Sequence, residues 1–210
     1  MSRGKLITFE GIDGCGKTTQ SKMLADFLSA IGRDVILTRE PGGETEVCKK
    51  IRSLIFDNNE GEEICKEAEL LLFAADRAQH LNKIILPAIE RGSIVICDRY
   101  MHSTYAYQGC EGVGKNKIDL ANLLAKTIRP DLTIFLKVIP ALAKSRVNRR
   151  GSSNKYDDKD INYYSKLARK YETAFNCVGS PYYLIEYGES KEKTHCIIRD
   201  LVFDFLKKPQ

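Results

Sequence analysis

Eight residues near the N-terminus carry the strongest chemical signal in the chain. Gly11-Ile12-Asp13-Gly14-Cys15-Gly16-Lys17-Thr18, followed by Thr19, matches G-x-x-x-x-G-K-[ST]. In such a P-loop the glycines let successive backbone N–H groups turn inward around a phosphate. The lysine meets the β/γ-phosphates, and the hydroxyl is placed to ligate Mg2+. A helix starting near Lys17 would add the positive end of its dipole. The implied ligand is a nucleoside triphosphate.

A second cluster follows the apolar run Ile94–Asp98. Asp98 either sits near the metal, often through water, or caps the next helix. Arg99 leaves the same strand end and brings a cation that favours a second phosphate group. Phe73 and Arg77 lie four apart on a helical pattern and so share one face. A stacking ring beside a donating guanidinium makes a nucleobase reader, although Phe73 also fits an apolar core. If the segment from Arg99 to Gln108 is helical, Ser103 stands beside Tyr107 and Thr104 beside Gln108. A buried core would not need so many hydroxyls and amides together. His102 reads as a surface or satisfied histidine.

The elements that must position these groups are legible as an alternation. Runs rich in branched and aromatic residues at Leu6–Glu10, Val35–Arg39, Ile94–Asp98, Leu132–Val138 and Tyr182–Tyr187 read as strands. Helical periodicity occupies Thr19–Ile31, Glu67–Glu90 (interrupted at Pro87), Asp119–Ile128 and Asp160–Cys177. Alternating β and α predicts an α/β fold with a five-stranded parallel sheet flanked by helices, with ligands at the C-terminal strand ends. The polar stretch from Arg149 to Asp160 reads as a mobile loop, and residues 1–210 as a single domain.

Composition narrows the class. Lys plus Arg exceed Asp plus Glu by 33 to 28, a net charge of +5, which suits an anionic small ligand as well as nucleic acid. The longest apolar run, Leu70 to Ala75, is far short of the ~20 residues of a membrane span. The N-terminal residues show no signal-peptide h-region. Seven scattered cysteines without a Cys-x-x-Cys pair argue for a reducing, cytoplasmic setting and against zinc. The three histidines are too dispersed for a metal cluster. Asn116-Lys-Ile-Asp119 and Asn154-Lys-Tyr-Asp157 match the guanine-reading N-K-x-D. Neither caps a strand, no D-x-x-G switch follows one, and Asp119 reads instead as a helix N-cap. The remaining choices are a P-loop kinase and a non-catalytic nucleotide-binding module.

Four blocks decide between them. Phe9 to Thr19, Thr38-Arg-Glu-Pro-Gly-Gly43, Leu72-Phe-Ala-Ala-Asp-Arg-Ala78 and Asp98-Arg-Tyr100 with Ser103 to Gln108 resemble the signature blocks of thymidylate kinases, in the form common in bacteria. The resemblance implies the P-loop NTPase fold and phosphorylation of dTMP to dTDP by MgATP. ATP would lie on residues 11–19 and Mg2+ near Thr18 and Asp98. It implies that Phe73 stacks on thymine and Arg77 donates to its O4, that Thr104 and Gln108 address the base with Ser103 nearby, and that Tyr107 packs under the sugar. Arg52 and Arg99 would hold the dTMP phosphate, with Asp13 near the 3′-OH and metal. Gly14 stands where one branch of the family carries a catalytic arginine, so the lid-arginine branch is implied. Its lid would span about residues 146–158, with Arg146, Arg149 and Arg150 as candidates beside Lys17 and Arg99. Many lid-type members carry an arginine where this chain has Lys155 before Tyr156-Asp157, which leaves the acting cation open. The family is usually a homodimer acting on small molecules, with neither nucleic acid nor membrane as partner. The nearest rival is a P-loop kinase for another nucleoside monophosphate or a deoxynucleoside.

Overall fold

The structure is a computed structural model describing residues 3–57, 61–151, 154–186 and 190–207. Five strands, β1 (Lys5–Glu10), β2 (Val35–Arg39), β3 (Ile94–Asp98), β4 (Leu132–Lys137) and β5 (Tyr182–Glu186), form one parallel sheet in the order β2-β3-β1-β4-β5. β3 is buried along its whole length and β1 along all but its first residue. Being covered on both faces is why these strands read as unbroken apolar runs. The fifth run was expected to reach Tyr187, which lies outside the described residues.

The helices are α1 (Lys17–Ala30), α2 (Glu46–Phe56), α3 (Lys66–His80), α4 (Leu86–Glu90), α5 (Met101–Cys110), α6 (Lys115–Leu124), α7 (Pro140–Arg150), α8 (Ile161–Val178) and α9 (Lys191–Lys207). The chain passes β1 to β2 on one side and then crosses to β4. The reversal opens a crevice at the ends of β1 and β3, where ligands of open α/β sheets bind. Among the described residues no helix is long and apolar enough to cross a membrane.

Three expectations need correction. The helical path over 67–90 does not break at Pro87. It widens earlier, into a π segment at Leu81–Ile85, and Pro87 falls in the first turn of α4. A proline ring clashes with the carbonyl four residues back, and the wider turn accommodates it. Asp119 is no N-cap: α6 begins at Lys115 after Gly114, and Asp119 accepts from Tyr105 Oη and Lys115 Nζ, each at 2.6 Å. His102 is no surface residue. It is fully buried against Phe175, with ring centroids 4.5 Å apart. Its Nε2 lies 3.4 Å from Ser180 Oγ, while its Nδ1 lies 3.9 Å from Glu10 Oε1 and has no hydrogen-bond partner among the described residues. Burial, with Arg77 as a lesser cause, brings its pKa down to about 3, so the ring is neutral.

Candidate active site

β1 delivers the chain into the phosphate loop through glycines whose backbone no other residue would adopt easily. Gly11 has φ +141°, and a Cβ there would stand 2.5 Å from Leu136 O. Gly14 has φ +81°, and a Cβ there would stand 2.2 Å from the carbonyl of Ala143 on α7. The backbone of α7 therefore excludes any side chain at position 14, the place where the other family branch would carry its arginine. Lys17, nearly buried at the start of α1, donates from Nζ to Ile12 O at 2.9 Å, so its ammonium lies folded over the loop.

Thr18 Oγ1 donates to Asp98 Oδ2 at 2.5 Å, while the buried Oδ1 of Asp98 has no partner among the described residues. A hydroxyl beside a half-satisfied carboxylate is an oxygen donor set that fits a hard divalent cation. Capping of α5 falls to Glu10 instead, which accepts from Tyr100 N at 2.8 Å and Ser103 N at 3.2 Å. Glu10 is fully buried, and burial pushes its carboxyl up to about 7 against the pull of Ser103 and Arg99. A folded-state pKa above the ordinary one gives stability that is present at low pH and lost as pH rises through about 7. The unfolding free energy of wild type minus that of Glu10→Gln should therefore fall from pH 5 to pH 8 in urea titrations; a constant difference would contradict this.

Beside the loop opens a cleft lined by all nine residues assigned to the acceptor: Asp13, Arg52, Phe73, Arg77, Arg99, Ser103, Thr104, Tyr107 and Gln108. Arg99 takes an unusual backbone turn for a non-glycine residue, with φ +73°, a conformation that persists where surrounding contacts hold it. Its guanidinium faces the phosphate loop and is paired with Asp13. It also donates to Tyr171 Oη at 3.0 Å and to Tyr107 Oη at 3.2 Å. Burial alone would raise the Asp13 pKa, but Arg99, Lys17 and a 2.5 Å bond from Tyr107 Oη outweigh it and bring it to about 2. Arg52 donates to Pro41 O at 2.8 Å and lies over the Phe56 ring. Burial, then the nearby Arg39 and Arg99, lowers its pKa, which marks three guanidiniums converging on one corner.

Arg77 is 2% exposed. It donates to Glu40 Oε2 at 2.7 Å, Asn122 Oδ1 at 2.8 Å and Thr104 Oγ1 at 2.9 Å. Three of its five N–H donors thus hold the guanidinium in place over the Tyr100 ring, at the wall of the cleft. Half-buried Phe73 meets Phe56 edge to face at 6.4 Å.

The candidate lid splits its cations. Arg150 lines both the acceptor cleft and the phosphate-loop pocket, and pairs with buried Asp157 at 2.9 Å. Arg146 lines the loop pocket and donates to Gly14 O at 3.4 Å. Arg149 is exposed, donates to Ser145 Oγ at 3.4 Å and lines neither. Lys155 turns away from the loop and pairs with Glu69. Asn154 Nδ2 donates to Asp157 Oδ2 at 3.0 Å, so this N-K-x-D is a self-bonded turn. Tyr156 is 5% exposed and packs between Phe56 and Tyr107 at 6.3 and 5.0 Å.

Sequence reasoning missed Glu40, Asn122, Glu69 and Tyr156. Of these, Glu40 had a signal in its place in the Thr38–Gly43 block and Tyr156 in its place beside Lys155 and Asp157 in the lid, whereas Asn122 and Glu69 had none. Glu40, His80 and Cys97 bring ligand atoms within 4.8 Å of one another, although the histidines looked dispersed. These groups are already committed: His80 bonds Glu40 Oε1 at 3.0 Å and Thr38 Oγ1 at 2.8 Å, and Cys97 Sγ donates to Arg99 O. Burial and neighbouring carboxylates push that thiol well above its usual range. The cluster is the support of Arg77. Cys15 is also fully buried, and burial raises its thiol pKa, which disfavours the reactive thiolate. Cys15 should therefore resist iodoacetamide in the native protein and react on unfolding, as read by peptide mass; rapid native labelling would contradict its packing.

Comparisons with known proteins show the family of the chain. The family profile described as thymidylate kinase matches residues 9–198. The thymidylate kinase of Thermoanaerobacter sp. strain X514 is 37% identical over 206 residues, 97% of this chain and 100% of that protein. That of Rickettsia typhi is 46% identical over 171 residues, 80% of this chain and 81% of its own. In three dimensions the chain is similar to the crystal structure of thymidylate kinase from Ehrlichia chaffeensis, with TM-score 0.77 and 32% identity over 95% of this chain and 99% of that one. With a P-loop at the end of β1 and a profile match across nearly its whole length, the chain belongs to the thymidylate kinase family.

Proposed function

We propose that the protein transfers the γ-phosphoryl of ATP in line to a 5′-phosphate oxygen of dTMP, giving dTDP and ADP, a step of dTTP biosynthesis. The observation that carries this reading is the convergence of all nine acceptor candidates on one cleft that shares Asp13, Thr18, Asp98, Arg99 and Arg150 with the phosphate-loop pocket. Donor and acceptor phosphates would meet there.

A phosphate monoester has a second pKa of about 6, so the acceptor is largely dianionic at neutral pH and needs no general base. The obstacle is repulsion between anions, which positioning and cations overcome. The loop amides of residues 11–19 and Lys17 hold the triphosphate, and Arg52 and Arg99 hold the acceptor. Arg150 reaches the transferred group, and its pairing with Asp157 fixes its direction. Thr18 and Asp98, directly or through water, would hold Mg2+, which would supply charge neutralisation on the triphosphate. Phe73 stacks on thymine, the remaining donors of Arg77 meet O4, and Thr104 and Gln108 address the base edge with Ser103 alongside. Tyr107 lies under the sugar, and lid residues 146–158 close over the site and exclude water.

Residues 1–210 act as one domain. The protein works as a homodimer in the cytoplasm on small molecules. Free thiols at all seven cysteines suit a reducing compartment. An apolar face with Leu120, Leu123 and Leu124 on α6 and Leu71 on α3, each more than half exposed, supports the association. Calorimetric titration tests the acceptor reading: dTMP should bind far more tightly than thymidine, which offers Arg52 and Arg99 no anion. Equal affinity would contradict it.

A further inference from the structure

Glu69 lies in the first turn of α3, four residues before Phe73 and so on the same face of that helix. Its side chain is almost wholly buried, and donors converge on it from two other parts of the chain. Gln108 Nε2, on α5, donates to Oε1 at 2.9 Å. Tyr156 Oη donates to the same oxygen, and Lys155 Nζ pairs with Oε2. Gln108 Nε2 also lies 3.5 Å from Tyr156 Oη. One carboxylate therefore joins the base-facing helix to the tip of the lid.

A carboxylate only accepts hydrogen bonds, so Gln108 faces it through the amide nitrogen. Among the described residues none donates to the amide oxygen, which is left to the cleft that Gln108 lines. Thymine presents an N–H at N3, whereas cytosine presents a bare acceptor there. A fixed oxygen pairs with the first and repels the second. With Glu69 gone, the amide keeps only the long 3.5 Å contact to Tyr156 Oη, itself a group that Glu69 holds, and half a turn about its last bond lets it serve either base. The lid depends on the same carboxylate, because Lys155 and Tyr156 leave a buried anion behind when they withdraw.

We infer that Glu69 is a positioning residue: it orients the Gln108 amide to select thymine at N3, and it latches the lid tip through Lys155 and Tyr156, so that base recognition and lid docking share one group. The inference rests on the dTMP reading of the cleft.

Two readouts test it, on Glu69→Ala and on the near-isosteric Glu69→Gln, which guards against loss of the fold. The first is the ratio of kcat/KM for dTMP over dCMP, expected to fall about tenfold or more with the KM for ATP unchanged. Gln108→Ala should lower the ratio too, and adding a Glu69 substitution to it should cause no further fall. The second is tryptic cleavage between residues 149 and 159, which dTMP should slow in wild type and not in the Glu69 variants. Retention of both the ratio and the protection, or additive losses with Gln108→Ala, would overturn the role of Glu69 while leaving the dTMP site standing. A wild-type enzyme that does not favour dTMP over dCMP would overturn both.

Discussion

Arg77→Ala is expected to lose stability and dTMP recognition together. The guanidinium is buried, and Glu40, Asn122 and Thr104 all accept from it. Removing it leaves Glu40 buried with only His80 Nδ1 at 3.0 Å. Breaking a buried pair by deleting one partner costs about 3 to 5 kcal/mol. In a domain of this size that corresponds to a melting temperature lower by roughly 6 to 20 °C. The base loses its partner at O4, so kcat/KM for dTMP should fall by about 100-fold or more, mostly through KM. Arg77→Lys separates the two effects. It keeps a charge for Glu40 but loses the planar fork, so it should recover part of the melting temperature and little of the affinity. An unchanged KM for dTMP in Arg77→Ala would contradict the assignment of the base site.

The other large effect is expected at Arg150. Its guanidinium is half exposed, so its pair with Asp157 contributes little to the fold. An arginine that stabilises charge on a transferred phosphoryl is worth about 10³ or more in kcat. Arg150→Ala should show that loss with KM values for both substrates within a few-fold of wild type and an unaltered melting temperature. Arg149→Ala, on a residue that lines neither pocket, should stay within about twofold, as expected of a solvated surface charge. Steady-state kinetics on the two variants decide the matter. A severe kcat defect in Arg149→Ala with a mild one in Arg150→Ala would reverse the assignment.

How much of this was legible in the sequence depended on how local the signal was. The P-loop and the strand ending at Asp98 announce themselves because their physics is contained in a few consecutive residues: glycines for the turn, an apolar run for a strand buried on both faces. The sheet follows from the alternation of β and α. Helices α2, α7 and α9 were missed; in α2 Thr45 accepts from Cys48 N at 3.1 Å in an N-capping arrangement, and Val47, Cys48, Ile51, Leu54 and Ile55 recur at helical spacing, so its signal was present in the sequence. Asp119 misled because an aspartate before an apolar run is also what the middle of an amphipathic helix looks like. The support of the site was hidden for another reason. Glu40 meets Arg77, and Glu69 meets Tyr156 and Lys155, across dozens of intervening residues, and no periodicity encodes such pairings. Residue type can nominate the groups that touch a ligand, whereas the groups that hold them appear only when the elements are packed.

The most direct measurement is ADP release in a coupled assay with MgATP and, in parallel, dTMP, dUMP, dCMP, dGMP, AMP and thymidine. Strong turnover with dTMP, weaker turnover with dUMP and little with the rest is the predicted result. Preference for dCMP, a purine nucleotide or thymidine, or no acceptor-dependent ADP release at all, would contradict it.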